Sequence, residues 1–305
     1  MTSWMIKGVL IILLSTCSPA YVAAQQVVDA GYAPKLKHVV ASPETLPIAV
    51  DEAHRNLHTI GGEYAPFARL LSADGYHVVA LNKSFSAEAL NGIGVLVIAN
   101  ARRPRAGEPA FSGDEIAAVR SWVDNGGSLF LIADHAPFGT AALQLAEAFG
   151  VEMGQGYVAV RQNGEVTSQI DYSGNHLGTH VILSGHDKDE RVRRVTSFTG
   201  QSLSIPAGAS PLLLLPSDAL EVAGPQEMVT LRQGGSVSGR NAGDRAQAIA
   251  LPFGKGRVVV AGEAAMFTSQ RVRFPNGTNA TVGLTVADDQ QFALNVVHWL
   301  SRKLE

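Results

Sequence analysis

The sequence predicts an α/β protein built on a mostly parallel sheet with helices on both faces. Three observations lead there. Five short apolar runs, at residues 47–50, 76–81, 94–99, 128–133 and 257–262, are continuous rather than alternating, as strands buried on both faces are. Helical patterns separate most of them, the strand–helix alternation of a parallel sheet. Hydrophobic residues at 46% against charged residues at 17% supply enough apolar side chain for such a core.

The elements follow in order. Residues 25–45 form a polar, proline-containing lead-in without a clear period, and the first strand is 47–50. Residues 64–73 read as a helix with Phe67, Leu70 and Leu71 on one face, stopped by Gly75. The second strand is 76–81, a short helical piece covers 86–90, and the third strand is 94–99. Ser112-Gly-Asp-Glu115 has the form of a capping box. The helix it opens carries Ile116, Val119, Trp122 and Val123, and Asn125-Gly-Gly127 closes it. The fourth strand, 128–133, ends at Asp134-His135, and 141–149 is a further helix. Across 151–250 short alternating runs sit among Gly, Ser and Pro and read as a β and loop elaboration beside the main sheet. The last strand is 257–261, and a closing helix at 289–304 places Phe292, Val296, Trp299 and Leu300 on one face. The span 46–304 reads as one α/β domain.

The first 24 residues have another purpose. Lys7 precedes the apolar run 8–14, and small residues lead to Val22-Ala-Ala24. That layout predicts a secretory signal peptide cleaved after Ala24, hence an exported, periplasmic or extracellular protein with no stable membrane span. Lipidation at Cys17 is the lesser variant, because Thr16 is a poor residue before a lipidated cysteine. Cys17 is the only cysteine, so a mature chain starting at Gln25 has no disulfide, thiolate zinc site or cysteine nucleophile. A net charge of −3, without runs of Lys or Arg, gives no electrostatic case for nucleic acid.

The chemistry gathers at strand ends. The first strand runs into Asp51-Glu-Ala-His54-Arg-Asn56-Leu-His58, the fourth into Asp134-His135, and the last into Gly262-Glu263. In open parallel α/β sheets ligands bind beyond the carboxyl ends of the strands, so these ends predict one site. A helical turn after Asp51 would point His54 and His58 the same way. The mixed imidazole and carboxylate set suits a divalent metal such as zinc, with His54, His58 and His135 as ligands. Asp51, Asp134 and Glu263 are the candidate catalytic carboxylates, and Asn56 and Asn100 candidate ligand contacts. H-x-x-x-H lacks the glutamate of the zincin motif, and each residue taken singly also fits a structural role in its loop. His176, His180 and His186, the Arg102, Arg103, Arg105 cluster and His298 fit turns, a solvated loop and the closing helix respectively.

Ile48-Ala-Val-Asp-Glu-Ala-His54, Gly126-Gly-Ser-Leu-Phe-Leu-Ile-Ala-Asp-His135 and Gln291-Phe-Ala-Leu-Asn-Val-Val-His-Trp-Leu300 resemble bacterial proteins of the DUF4350 type. These belong to the class I glutamine-amidotransferase-like group, with the ThuA-like proteins. The resemblance implies a flavodoxin-like sandwich. It does not carry over amidotransferase chemistry, because the turn Ala133-Asp-His-Ala-Pro137 holds neither Cys nor Ser. No G-x-S-x-G elbow is present either; Gly200-Gln-Ser202-Leu-Ser204 comes nearest. Two functions stay open: an exported hydrolase, metal-assisted or not, acting on a small-molecule, carbohydrate or peptide substrate, and a non-catalytic small-ligand-binding or accessory domain of the cell envelope. A structural part of an envelope complex is a third reading, which would need a large exposed apolar surface.

Overall fold

The computed structural model describes residues 25–105, 108–273 and 278–305; the expected signal peptide and Cys17 lie outside them. Seven strands make the main sheet: β1 (Ile48–Asp51), β2 (Val78–Leu81), β3 (Val95–Ala99), β4 (Ser128–Ile132), β5 (Ser210–Leu214), β6 (Ala246–Phe253) and β7 (Gly256–Ala261). Their order is β5-β6-β7-β4-β3-β1-β2. The five strands from β7 to β2 are mutually parallel, and β6 and β5 add antiparallel to that edge. The parallel part has the strand order 2-1-3-4-5 of flavodoxin-like folds, whose order reverses between the first and third strands.

Side-chain alternation splits the core in two. Ile48, Val50, Val95, Val97, Phe130 and Ile132 face one side and pack with α1 (Ala65–Ala73) and the closing helix α4 (Asp289–Leu300). Ala49, Leu96, Ile98, Leu129 and Leu131 face the other and pack with α2 (Gly113–Asp124) and α3 (Phe138–Glu147). Helices thus cover both faces, which is why these strands are apolar throughout. The Ser112 and Glu115 box caps α2.

Several elements differ from expectation. Residues 86–90 form turns rather than a helical piece. The lead-in contains a strand, Gln25–Val28, the edge of a three-stranded antiparallel sheet with Ser269–Arg273 and Asn279–Gly283. Within 151–250, β5 and β6 extend the main sheet itself. The rest forms two small sheets beside it: Tyr157–Gln162 with Glu165–Thr167, Leu220–Val222 and Arg240–Asn241, and Ile170–Ser173 with Arg194–Ser197. Antiparallel strands at an edge need no crossover helix, so the strand–helix rhythm that marks the other five is missing around β5 and β6.

Candidate functional site at the carboxyl edge of the sheet

Ala99, Ile132 and Ala261 lie side by side in register at the ends of β3, β4 and β7. Neighbouring strands run about 4.8 Å apart, so the polar residues that follow share one rim. Those residues form two groups, and Asp134 and His135, with His58, line a cavity.

The first group is Asp51, His54 and Asn56. No helical turn forms after β1. Asp51 Oδ1 instead accepts the Ala53 N–H at 3.1 Å, an Asx-type turn, and Arg55 adopts φ 54°. The chain thereby turns His54 back onto Asp51. Its Nδ1–H donates to Asp51 Oδ1 at 2.8 Å and Oδ2 at 3.0 Å, and its Nε2–H donates to Glu115 Oε1 at 2.9 Å. Asn56 Nδ2 donates to Asp51 Oδ2 at 3.0 Å, and Asn56 Oδ1 accepts the His54 N–H. The imidazole lies between Phe85 and Phe111, with ring centroids 4.5 and 4.7 Å away. Burial opposes its charge, but the hydrogen bonds and charges of Asp51 and then Glu115 outweigh burial and raise its pKa. Burial would raise Glu115, but the Ser112 N–H and His54 win and bring it down to about 2. His54 is therefore an imidazolium clamped between two carboxylates, with no ring nitrogen left for a metal.

The second group is Asn100, Asp134 and Glu263. Asn100, at φ 48°, donates from Nδ2 to Asp134 Oδ2 at 2.8 Å and accepts the Asp134 N–H at 2.9 Å. Three successive amides serve the two carboxylates. Ala264 N–H donates to Asp134 Oδ1 at 2.9 Å, and Ala265 and Met266 N–H donate to the two oxygens of Glu263 at 2.8 Å each. Burial, then the charge of Asp134, pushes the pKa of Glu263 well up. Burial also raises Asp134, against Asn100, His135 and the Ala264 amide. The Gln201 amide holds the strand end by donating to the carbonyls of Ala133 and Asp134. Gly200 lets it approach: a Cβ there would lie 2.4 Å from the Gly262 carbonyl oxygen.

A cavity of about 370 Å³ opens beside Asp134. His58, Glu63, Asp134, His135, Phe138 and Gln270 line it, among others. Gln26, from the lead-in strand, hydrogen-bonds Gln270 across that wall. His58 is 5% exposed and stacks on Tyr64 at 4.6 Å. Its Nδ1 is buried without a hydrogen-bond partner, 3.9 Å from Glu63 Oε2. Burial, and secondarily the charge of Arg102, lowers its pKa to about 4. His135 stacks on Tyr157 at 3.8 Å and donates from Nδ1 to the Ala136 carbonyl at 2.9 Å.

Of the residues singled out from sequence, His58, Asp134 and His135 meet on this cavity. Asp51, His54 and Asn56 belong to the neighbouring clamp, Asn100 braces Asp134, and Glu263 is held by the Ala265 and Met266 amides. Among the described residues no group of three or more His, Cys, Asp or Glu side chains is arranged to hold a metal. The expected set of His54, His58 and His135 does not assemble, because the lost helical turn leaves His54 facing Asp51 and Glu115 while His58 packs on Tyr64. Glu63, Phe138, Gln26 and Gln270 had no signal in the sequence. Glu115 did, but as a helix cap. Outside the rim, Ser202 is fully buried, donating to Glu221 Oε2 at 2.6 Å and accepting from Arg245 Nε at 2.7 Å, which fits no nucleophile. His180 caps a short helix and His186 joins Glu190 to the Lys303 carbonyl.

No protein-family model matches the chain, DUF4350 included, and no curated protein is similar to it in sequence. Solved structures are similar in fold. The mmIFT52 N-terminal domain matches with a TM-score of 0.59 at 15% identity, over 83% of this chain and 97% of that one. ThuA-like proteins also appear: one from Parabacteroides merdae with a TM-score of 0.46 at 11% identity, over 85% of this chain and 90% of its own, and one from Bacteroides uniformis with a TM-score of 0.42 at 12% identity, over 85% and 94%. At such identities the likeness concerns the fold alone, a large mostly parallel α/β sheet consistent with a flavodoxin-like architecture. Function has to be argued from the site.

Proposed function

We propose that the protein binds a small polar ligand in the cavity beside Asp134, as an exported binding or accessory domain. One observation carries this reading. At the carboxyl edge of the sheet, where such folds take their ligands, a cavity of about 370 Å³ is lined by His58, whose Nδ1 is buried and has no hydrogen-bond partner. Leaving such an atom unpaired costs about 1–3 kcal/mol, which a ligand's hydrogen bond would offset. Asp51, His54, Asn56, Asn100, Asp134 and Glu263 already have protein partners, as structural groups do. The test is a thermal-shift screen of polar metabolites against the mature protein and against Ala265→Phe, which fills the cavity. Ligands that raise the wild-type Tm and lose their effect in Ala265→Phe support the reading; ligands that act equally on both sink it.

A second reading, hydrolysis, has one observation in its favour. His58, neutral above about pH 4, and Asp134, whose pKa burial raises, line the same cavity, and an imidazole base beside a buried carboxyl group is a pairing that general acid–base catalysis uses. If the protein hydrolyses an ester, amide or glycoside, His58→Ala and Asp134→Asn each lower the rate by about 10²-fold or more while the fold persists. Equal turnover by wild type and both variants would end this reading. Export rests on the layout of residues 1–24, and N-terminal sequencing of protein recovered outside the cytoplasm should begin at Gln25.

A further inference from the structure

We infer that Arg55, Arg102 and Arg103 form a binding site for a phosphate group, at the same carboxyl edge of the sheet but outside the cavity. The fold ties together the two loops that carry them. Arg55 follows His54 in the turn after β1, and the Arg102 N–H, in the loop after β3, donates to the His54 carbonyl at 3.0 Å. Arg55 stands at φ 54°, a left-handed conformation that few residues other than glycine adopt, and its Nη1 donates to the Pro104 carbonyl at 2.7 Å. Arg103 Nη2 donates to the Thr140 carbonyl at 3.2 Å. The Arg102 guanidinium lies 5.7 Å from the centre of the Phe138 ring. All three side chains are exposed, and none is among the residues that line the cavity.

These three guanidiniums touch only neutral groups: two carbonyls and an aromatic ring. Among the described residues none of them has a carboxylate partner. Arg105, in the same loop, does have one, Glu108 Oε1 at 3.6 Å. The charge of Arg102 reaches His58, whose pKa it helps burial to lower, as an unmatched charge does. The chain as a whole carries a net charge of −3, so three unmatched cations side by side are a local feature and not part of a basic surface. Like charges so placed repel one another. An anion among them replaces that repulsion with attraction, which a neutral ligand or a cation cannot do.

The kind of cation narrows the kind of anion. All three are arginines, whose planar forks of N–H donors match the oxygens of carboxylates and phosphates in pairs. Arg55 and Arg103 each spend a donor on a carbonyl, which anchors the guanidinium and leaves its other donors for a ligand. Their number then favours phosphate. A carboxylate has one charge and two oxygens, enough for a single fork. A phosphate monoester brings a charge of about −1.5 to −2 at neutral pH and three acceptor oxygens, so it can serve more than one fork and offset more of the three charges.

The experiment is an NMR titration of the mature protein at fixed ionic strength, read on the arginine side-chain resonances, with inorganic phosphate, glycerol 2-phosphate, acetate and glycerol as probes. Both phosphates should move the signals of Arg55, Arg102 and Arg103 and bind at least about ten-fold more tightly than acetate, while glycerol moves nothing. Tighter binding of glycerol 2-phosphate than of inorganic phosphate identifies a phosphorylated organic ligand, and the reverse order free phosphate; either supports the site. Arg102→Gln and Arg103→Gln, at exposed positions that tolerate the change, should each weaken phosphate binding about five-fold or more. Glu108→Gln releases Arg105 from its partner and should tighten binding, while Arg105→Gln should leave it nearly unchanged. Phosphate binding no tighter than acetate, or unweakened in the double variant Arg102→Gln with Arg103→Gln, would overturn the assignment. Ala265→Phe separates this site from the cavity: unchanged phosphate affinity there supports a site outside it, and loss of phosphate binding would place the anion in the cavity and overturn the assignment.

Discussion

At residue scale the chemistry of the rim turns on how many partners each polar group has. His54 has three carboxylate contacts and two aromatic neighbours, so its charge is spent on holding β1 to α2. Removing one partner of a buried ion pair strands the other, at about 3–5 kcal/mol. His54→Ala should therefore lower unfolding stability by about that much in urea titrations read by circular dichroism; a loss under about 1 kcal/mol would mean that the clamp is worth no more than a surface pair. Because its folded pKa is raised, His54 contributes stability that is fully present below the unfolded value and fades as pH climbs through the folded one. The difference between wild type and His54→Ala should accordingly shrink at alkaline pH. That Asp51, His54 and Asn56 act together was legible in the sequence, since they fall within six residues after a buried strand. Their second carboxylate was not, because Glu115 lies 61 residues away from His54.

At the scale of elements, legibility follows the strength of the local signal. The five parallel strands were readable because burial on both faces leaves no room for polar residues. The capping box of α2 was readable because its chemistry is local: Ser112 Oγ accepts the Glu115 N–H, and Glu115 Oε2 accepts the Ser112 N–H at 2.9 Å. The helical turn that would align His54 with His58 does not form, because Arg55 takes φ 54° and His54 and Asn56 fold back onto Asp51. The strand Gln25–Val28 went unseen because an edge strand of four residues carries hardly any pattern, and with it went Gln26 and Val28 of the cavity wall. Ser112→Ala offers an element-scale check. Losing a cap costs about 1 kcal/mol, and here Glu115 also braces His54, so the loss should exceed that in Ser112→Ala but return to about 1 kcal/mol when measured in a His54→Ala background. Equal losses in the two backgrounds would show that cap and clamp are independent.

Across the whole molecule, buried acids and imidazoles set how stability depends on pH. His58 and His180 have lowered pKa values, each first through burial, so the stability they contribute is present above their unfolded value and lost as pH falls toward about 4 in the case of His58. Buried acids act at the other end. Asp289, at the start of α4, accepts the Thr196 N–H on Oδ1 at 2.9 Å, while Oδ2 is buried without a partner. Burial, well ahead of Asp288 and Asp171, pushes its pKa up to about 9, and Glu263 is raised in the same direction. A raised carboxyl keeps its proton in the native state while the unfolded chain has released it. Its contribution is therefore complete below the unfolded value near 3.8 and drains away as pH rises to about 9. Stability should peak between these limits and decline on the alkaline side with a slope of about one bound proton per molecule from Asp289 alone. In Asp289→Asn that part of the slope should vanish: the variant should gain on wild type steadily from pH 5 to pH 9, with Tm values by calorimetry converging at the acid end. Parallel curves for the two proteins over that range would show that Asp289 is ionised in the native fold, and that the unpartnered Oδ2 finds a cation or donor of its own.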